Sequence, residues 1–169
     1  MRFEVKYYTK FRSPYWGGFV SPGKTEPNAA NRGKLVVNEH MEGYSELDES
    51  TFMDVIQELL DCPASDMTDA EVHAQFDLKD KDGNVQNTVA PNHVGEIKGY
   101  YNGRRALMNQ IIADIDAFKE NTGFMAFEHK YPMGKDLNCF SVVDNEDDKN
   151  TTQLDGYIWV KAEKPGGFS

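Results

Sequence analysis

The first residues of the chain alternate between apolar and polar side chains. One side of this period-two pattern consists of Phe3, Val5, Tyr7, Thr9 and Phe11, and the other of Glu4, Lys6, Tyr8 and Lys10. Such alternation predicts a strand with one buried face. Residues 13–34 contain Ser-Pro, Gly-Gly and Pro-Gly without any period, which predicts a long irregular loop, and residues 35–40 predict a short second strand.

Two later segments have the spacing of amphipathic helices. Ser50 or Thr51 can cap the first helix and Pro63 ends it. Its apolar stripe consists of Phe52, Val55, Ile56, Leu59 and Leu60. The second helix is predicted over residues 103–121, and its buried stripe consists of Leu107, Ile111, Ile115 and Phe118.

Alternation returns between these helices. Residues 72–78 predict a strand that turns at residues 80–84 and returns through residues 85–89. Asp80, Asp82 and Gly83 have the spacing of an EF-hand calcium loop, but positions 78 and 89 lack the oxygen ligands that the loop requires. Further strands are predicted at residues 124–129, 138–144 and 156–163. We therefore predict an α+β fold, in which a mostly antiparallel sheet of five to seven strands has two main helices packed on one face.

Composition limits the class of protein. With 169 residues, 39% of them hydrophobic, the chain can bury one sizeable core, and we predict a single domain over residues 1–169. No apolar run is long enough to cross a bilayer, and the N-terminus lacks the apolar stretch of a signal peptide, so we expect a cytoplasmic protein without membrane contact. Cys62 and Cys139 have no metal-ligand spacing and are expected to be reduced.

Charge is sorted along the chain. Residues 1–35 carry seven Lys and Arg against two Asp and Glu, whereas residues 36–82 carry two against fourteen. The overall net charge of −10 argues against direct nucleic-acid binding, because phosphates repel such a protein. A block this acidic is more easily sustained where a positive partner meets it.

The acidic block yields a candidate docking surface. Its carboxylates lie in or just before the first predicted helix, whose apolar face is committed to the core, so they should point outward. We define this acidic surface as Glu46, Asp48, Glu49, Asp54, Glu58 and Asp61. Such a surface can dock on a host protein whose basic groove normally binds nucleic-acid phosphates. The alternative is a solvated face that keeps the protein soluble.

A second candidate site lies at the end of the first strand. Arg12, Tyr15 and Trp16, followed by two glycines, could hold a planar anionic ligand by charge and stacking, or the aromatic rings could fold back onto the core. Arg104 and Arg105 oppose the macrodipole at the predicted start of the second helix, which a bound anion or nearby acidic side chains would explain.

Other chemistry finds little support in the sequence. The four histidines have no metal-ligand spacing, and no nucleophile elbow or phosphate-binding glycine loop occurs, so no metal or cofactor is expected.

Several segments together resemble the phage-encoded S-adenosylmethionine lyases. They are Phe11-Arg12-Ser13, Glu49-Ser50-Thr51, Glu71 ahead of Lys79-Asp80-Lys81, and the helix at Ala106-Leu107 followed by Phe124. The resemblance implies that Glu71 is the catalytic residue and S-adenosylmethionine the ligand. Where the family has a Gln near the end of that helix, this chain has Glu120 and Asn121.

Two functions are thus open. The first is a non-enzymatic binding protein of a phage-type anti-defence or inhibitor kind, acting in the host cytoplasm through the acidic surface, with homo-oligomer formation possible. The second is an enzyme or sensor for a small nucleotide-like ligand, in which Arg12, Tyr15 and Trp16 bind and Glu71 acts as acid, base or electrostatic residue.

Overall fold

The computed structural model describes residues 1–13, 36–62, 65–89, 91–137 and 152–166. In chain order its elements are β1 (Arg2–Ser13), β2 (Val36–Leu47), α1 (Glu49–Leu60), α2 (Asp69–Phe76), β3 (Leu78–Lys79), β4 (Val85–Asn87), α3 (Pro91–Glu120), β5 (Ala126–Pro132), β6 (Lys135–Leu137) and β7 (Thr152–Glu163). No helix within these ranges combines the length and apolar character needed to cross a membrane.

β1 lies inside an antiparallel sheet of order β2-β1-β7-β5. Val5 stands opposite Tyr44 of β2 and Val160 of β7. Gly156 of β7 approaches the β1 backbone so closely that a Cβ there would lie 2.9 Å from the Thr9 Cα. β6 pairs with β7, and β3 and β4 form a separate hairpin. The α+β class and the antiparallel sheet are confirmed, but the predicted count of five to seven strands is not, since the main path has four.

The main core lies between the sheet and helices α1 and α3. β1 supplies Phe3, Val5 and Tyr7 from one face, as its alternation predicts, and the Phe3 ring stacks on Phe52 of α1 with centroids 4.5 Å apart. The remaining buried members of this core are Ile56, Leu60, Ile111, Ile115, Phe118, Tyr131, Ile158, Val160 and Ala162.

A second apolar cluster joins α2 to the first half of α3. Its members are Met67, Val72, Phe76, Val89, Val94, Ile97, Tyr100, Tyr101 and Leu154. Because α3 contributes its first half to this cluster and its second half to the main core, one helix connects the two. The single domain over residues 1–169 stays a prediction.

The strand predicted at residues 72–78 is wrong, because most of this segment forms helix α2. Thr68 and Glu71 make a capping box in which each side chain bonds to the backbone N–H of the other residue, and this fixes the start of a helix. Val72 and Phe76 are buried and Ala74 is exposed, so the buried spacing is four residues rather than two. The predicted hairpin survives only as β3 and β4.

Two helix boundaries also differ from the prediction. Asp48, rather than Ser50 or Thr51, caps α1, and its carboxylate accepts the Thr51 N–H at 2.8 Å. α3 begins at Pro91, twelve residues before the predicted start, since proline suits the first turn of a helix. Arg104 and Arg105 consequently lie in the helix interior, and the macrodipole argument for them does not apply.

Some predicted elements fall outside the described residues. The irregular loop of residues 13–34 does so except for Ser13, which ends β1, and so does the strand predicted at residues 138–144. The short strand predicted at residues 35–40 is longer and runs over Val36–Leu47.

Candidate functional site

Three residues of the predicted acidic surface already have partners within the chain. Glu46 lies 3.4 Å from the guanidinium of Arg2. Glu49 accepts a hydrogen bond from the Lys119 ammonium at 2.6 Å. Asp48 is the cap of α1. These three carboxylates therefore form ion pairs or hydrogen bonds with other residues of the same chain.

The other three form one stripe along α1. Asp54, Glu58 and Asp61 are all exposed, and they have no ion pair with any residue that the structure describes. With Gln57 and Cys62 they line an open cleft of about 360 Å³. Burial raises the pKa of the Cys62 thiol to about 11, so this sulfur is a protonated thiol at neutral pH. Asp54, Glu58 and Asp61 are thus the members of the acidic surface without an ion pair or a capping role in the described ranges.

Acidic residues further along the chain are also paired. Asp69 accepts a hydrogen bond from Lys98 at 2.7 Å, and Asp66 forms an ion pair with Arg105. Of the two explanations offered for Arg105, a bound anion or a nearby acidic side chain, the structure therefore shows the second. Arg104 has no such carboxylate among the described residues.

The residues of the second candidate site are not brought together. Tyr15 and Trp16 lie outside the described residues, and of Arg12 only the backbone is described, in β1. Glu71 is exposed, and its carboxylate accepts hydrogen bonds from the Thr68 N–H at 3.4 Å and hydroxyl at 3.0 Å. The structure gives Glu71 a capping role, and its catalytic role stays a prediction.

Arg104 lies beside a pocket that the sequence does not predict. The pocket is open on one side and has a volume of about 170 Å³. Three elements build its wall: α3, the turn between β5 and β6, and β7. The lining residues are Gly99, Tyr100, Gly103, Arg104, Leu107, Pro132, Met133, Gly134 and Leu154. We call this site the Arg104 pocket.

The guanidinium of Arg104 is buried but only partly satisfied. The residue is 5% exposed, and its Nη1 donates a hydrogen bond to the Leu60 main-chain oxygen at 2.9 Å. The guanidinium also lies 4.8 Å from the centroid of the Tyr100 ring. Nη2 is shielded from solvent and makes no hydrogen bond of good geometry in the described part of the chain, although the Tyr7 hydroxyl interacts with the guanidinium through a hydrogen bond. A buried cation in this position is costly unless a negative group joins it.

Two tyrosines accompany this cation. Burial raises the pKa of the Tyr7 and Tyr100 hydroxyls, and the nearby charge of Arg104 offsets part of that rise. Burial acts to lower the pKa of Arg104 itself, but the tyrosines offset this, and the net direction is upward. The site therefore holds a permanent positive charge beside neutral hydroxyls, whose oxygens can accept hydrogen bonds from the guanidinium but cannot neutralise its charge.

The described lining of the Arg104 pocket combines one charge with apolar surface. Among the described lining residues Arg104 is charged, and the other side chains are apolar apart from that of Tyr100. The described lining residues include no carboxylate, histidine or cysteine, which are the usual groups for proton transfer or nucleophilic attack. Such a pocket can hold a small molecule that combines one negative group with an apolar body.

A separate polar cluster ties α2 to the segment before α3. The Asp77 side chain is 8% exposed and accepts hydrogen bonds from the Val89 N–H at 2.8 Å and the Thr88 hydroxyl at 3.1 Å. His73 Nδ1 lies 3.0 Å from the same carboxylate oxygen. No group of three or more potential ligands is placed to hold a metal ion within the described ranges. We assign this cluster a structural role.

Comparison with known proteins finds no relative of this chain. No protein-family model, no curated protein and no solved structure matches it. The fold and the pocket describe an α+β protein with a pocket beside a buried arginine.

Proposed function

We propose that this protein binds a small organic anion in the Arg104 pocket and acts as a binding protein or sensor. The observation that carries the proposal is the buried guanidinium of Arg104, a pocket-lining residue that forms no ion pair with a carboxylate among the described residues. An anionic group there would form charge-assisted hydrogen bonds, which are roughly twice as strong as neutral ones. The apolar remainder of the pocket would accept the body of the ligand.

A thermal-shift screen tests this proposal. The panel contains monocarboxylates, phosphate, nucleotides and S-adenosylmethionine at millimolar concentration. A ligand present at about 100 times its dissociation constant stabilises the folded protein by about 2.7 kcal/mol. We expect at least one anion to raise the melting temperature, and neutral analogues of the same shape to have no effect.

Two neighbouring arginines provide a matched pair of variants. Arg104→Met removes the buried charge and should abolish the shift. Arg105→Met removes a charge from the next residue, whose side chain is 31% exposed and paired with Asp66, and should leave the shift unchanged. The proposal is wrong if no anion shifts the wild-type protein, or if both variants respond as the wild type does.

A docking function is the second candidate, supported by the exposed stripe of Asp54, Glu58 and Asp61. In this proposal the protein is a phage-type inhibitor whose stripe occupies a basic surface of a host protein. Changing all three residues to Lys should abolish association, and association should weaken steeply with salt. The control changes Glu96, Asp116 and Glu120, exposed residues of α3, to Lys and alters the net charge equally. Equal losses in both variants would exclude a specific stripe.

The lyase-like alternative remains a prediction from the resemblance. Its ligand, S-adenosylmethionine, is in the panel, so the screen tests it as well. If this ligand is cleaved, Glu71→Gln should remove the activity, whereas Thr68→Ala should disturb the same capping box and retain it. Loss of activity in both variants would indicate a structural effect of the helix cap.

A further inference from the structure

α3 carries glycine at three successive positions of one face. Gly95, Gly99 and Gly103 are spaced four residues apart and lie inside the helix rather than at its ends. Interior glycine makes a helix less stable than alanine would, because glycine loses more backbone freedom on folding. A Cβ at any of the three would meet no heavy atom within 4 Å. Packing against the described residues therefore does not require glycine at these positions.

Two of these glycines coincide with the Arg104 pocket. Gly99 and Gly103 line it, whereas Gly95 does not. Four residues of helix advance by about 6 Å, so the helix backbone is bare over that length beside Arg104. A side chain at either position would extend into the open volume. The missing side chains give the pocket a flat wall.

The dimensions of the pocket limit the ligand that could use this wall. A protein cavity of about 150 Å³ accommodates benzene, and the Arg104 pocket has a volume of about 170 Å³. Leu107, Met133 and Leu154 supply apolar contacts. One cation without a carboxylate partner among the described residues matches one negative charge.

We infer that the ligand class of the Arg104 pocket is a flat ring bearing one carboxylate. The carboxylate pairs with Arg104, and the ring lies against the backbone bared by Gly99 and Gly103. This inference rests on the proposed function and adds the shape of the ligand to its charge. It also explains why α3 retains glycines that reduce its stability.

A ligand series tests the shape and the charge separately. Benzoate is the reference ligand, and calorimetry measures its dissociation constant with the full chain. Cyclohexanecarboxylate has the same charge and carbon count but a thicker body, and benzamide has the same ring without the charge. We expect each to bind at least about tenfold more weakly than benzoate, since small misfits in apolar pockets have effects of this size.

Three glycine variants test the wall. Gly99→Ala and Gly103→Ala should each weaken benzoate binding at least about tenfold. Both should raise the melting temperature by about 2–4 °C, because alanine stabilises a helix interior. Gly95→Ala should raise the melting temperature similarly and leave benzoate affinity unchanged. It is the matched control, because it makes the same change on the same helix outside the pocket.

The outcomes separate this inference from the proposed function. Suppose that anions bind in an Arg104-dependent way. If cyclohexanecarboxylate then binds with the same affinity as benzoate, the inference is wrong and the proposed function stands. The same holds if the Gly99→Ala and Gly103→Ala variants bind benzoate with the same affinity as Gly95→Ala. If another anion binds in an Arg104-dependent way and benzoate does not bind, the inference is likewise wrong and the proposed function stands. If no anion binds the wild-type protein, both are wrong.

Discussion

Arg104 of α3 donates a hydrogen bond to the main-chain oxygen of Leu60, the last residue of α1. The final carbonyls of a helix have no partner within the helix, so this bond satisfies one of them. It also fixes the guanidinium of a residue that lines the Arg104 pocket. The position of the cation is thus fixed by the end of another helix.

Replacing Arg104 should make the ligand-free protein more stable. Arg104→Met loses the hydrogen bond to Leu60, which contributes about 0.5–1.5 kcal/mol, and the contact with the Tyr100 ring, which contributes about 0.5–2 kcal/mol, but it removes a buried charge whose desolvation costs several kcal/mol. We expect the free energy of unfolding in urea to rise by about 1 kcal/mol or more. A fall of the same size would show that the charge has a partner within the chain.

The stacked pair Phe3 and Phe52 should be a large contributor to stability. Both rings are fully buried, so Phe52→Ala should lower the free energy of unfolding by about 3–5 kcal/mol. Phe124→Ala removes a ring that is 66% exposed and should change it by less than about 0.5 kcal/mol. Denaturant unfolding measures both, and similar losses would contradict the packing described here.

The cap of α1 can be tested by two neighbouring substitutions. Asp48→Ala removes the carboxylate that accepts the Thr51 N–H and should cost about 1 kcal/mol of stability. Ser50→Ala changes a residue already inside the helix and should have little effect or stabilise it. Thermal or urea unfolding measures both changes. If Ser50→Ala lowers stability more than Asp48→Ala does, Ser50 rather than Asp48 is the cap.

Asp77 should make stability depend on acid pH. Burial acts to raise the pKa of its carboxyl, but hydrogen bonds from His73, Val89 and Thr88 outweigh this and hold the pKa below its usual value. A carboxyl whose pKa is lowered by folding stabilises the protein above its unfolded pKa, and this contribution disappears as pH falls through the folded pKa.

The corresponding variant is Asp77→Asn. At neutral pH it should be less stable than the wild type, and the difference should shrink as pH falls below the unfolded pKa of about 4 and through the lower folded pKa. Urea unfolding at a series of pH values measures this difference. A constant difference across that range would mean that the carboxyl charge contributes nothing.

The sheet and the helical stripes could be predicted because their periods are unambiguous. β1 alternates over most of its length, and Ile111, Ile115 and Phe118 repeat at helical spacing. The segment at residues 72–78 fits both a helix and a strand. Val72 and Phe76 are four residues apart, which is about one helical turn and also two repeats of the period-two alternation of a strand. The capping box of Thr68 and Glu71 is the local signal that decides for a helix.

The Arg104 pocket could not be predicted in the same way. Its lining comes from three elements that are distant in sequence, and no local pattern brings Met133 and Leu154 next to Gly103. Arg104 attracts notice in the sequence as a residue at a predicted helix start, but the helix begins thirteen residues earlier, at Pro91. The sequence signal that could have indicated the pocket is the four-residue spacing of Gly95, Gly99 and Gly103, which leaves one face of the helix without side chains.

The two halves of α3 should differ in how readily they open. The first half carries the three interior glycines and packs in the smaller apolar cluster, whereas the second half packs against the sheet. Backbone amide protons of the first half should therefore exchange with deuterated solvent sooner than those around Ile111 and Ile115. A ligand in the pocket would slow that exchange from Gly99 onward and report occupancy without any label on the ligand.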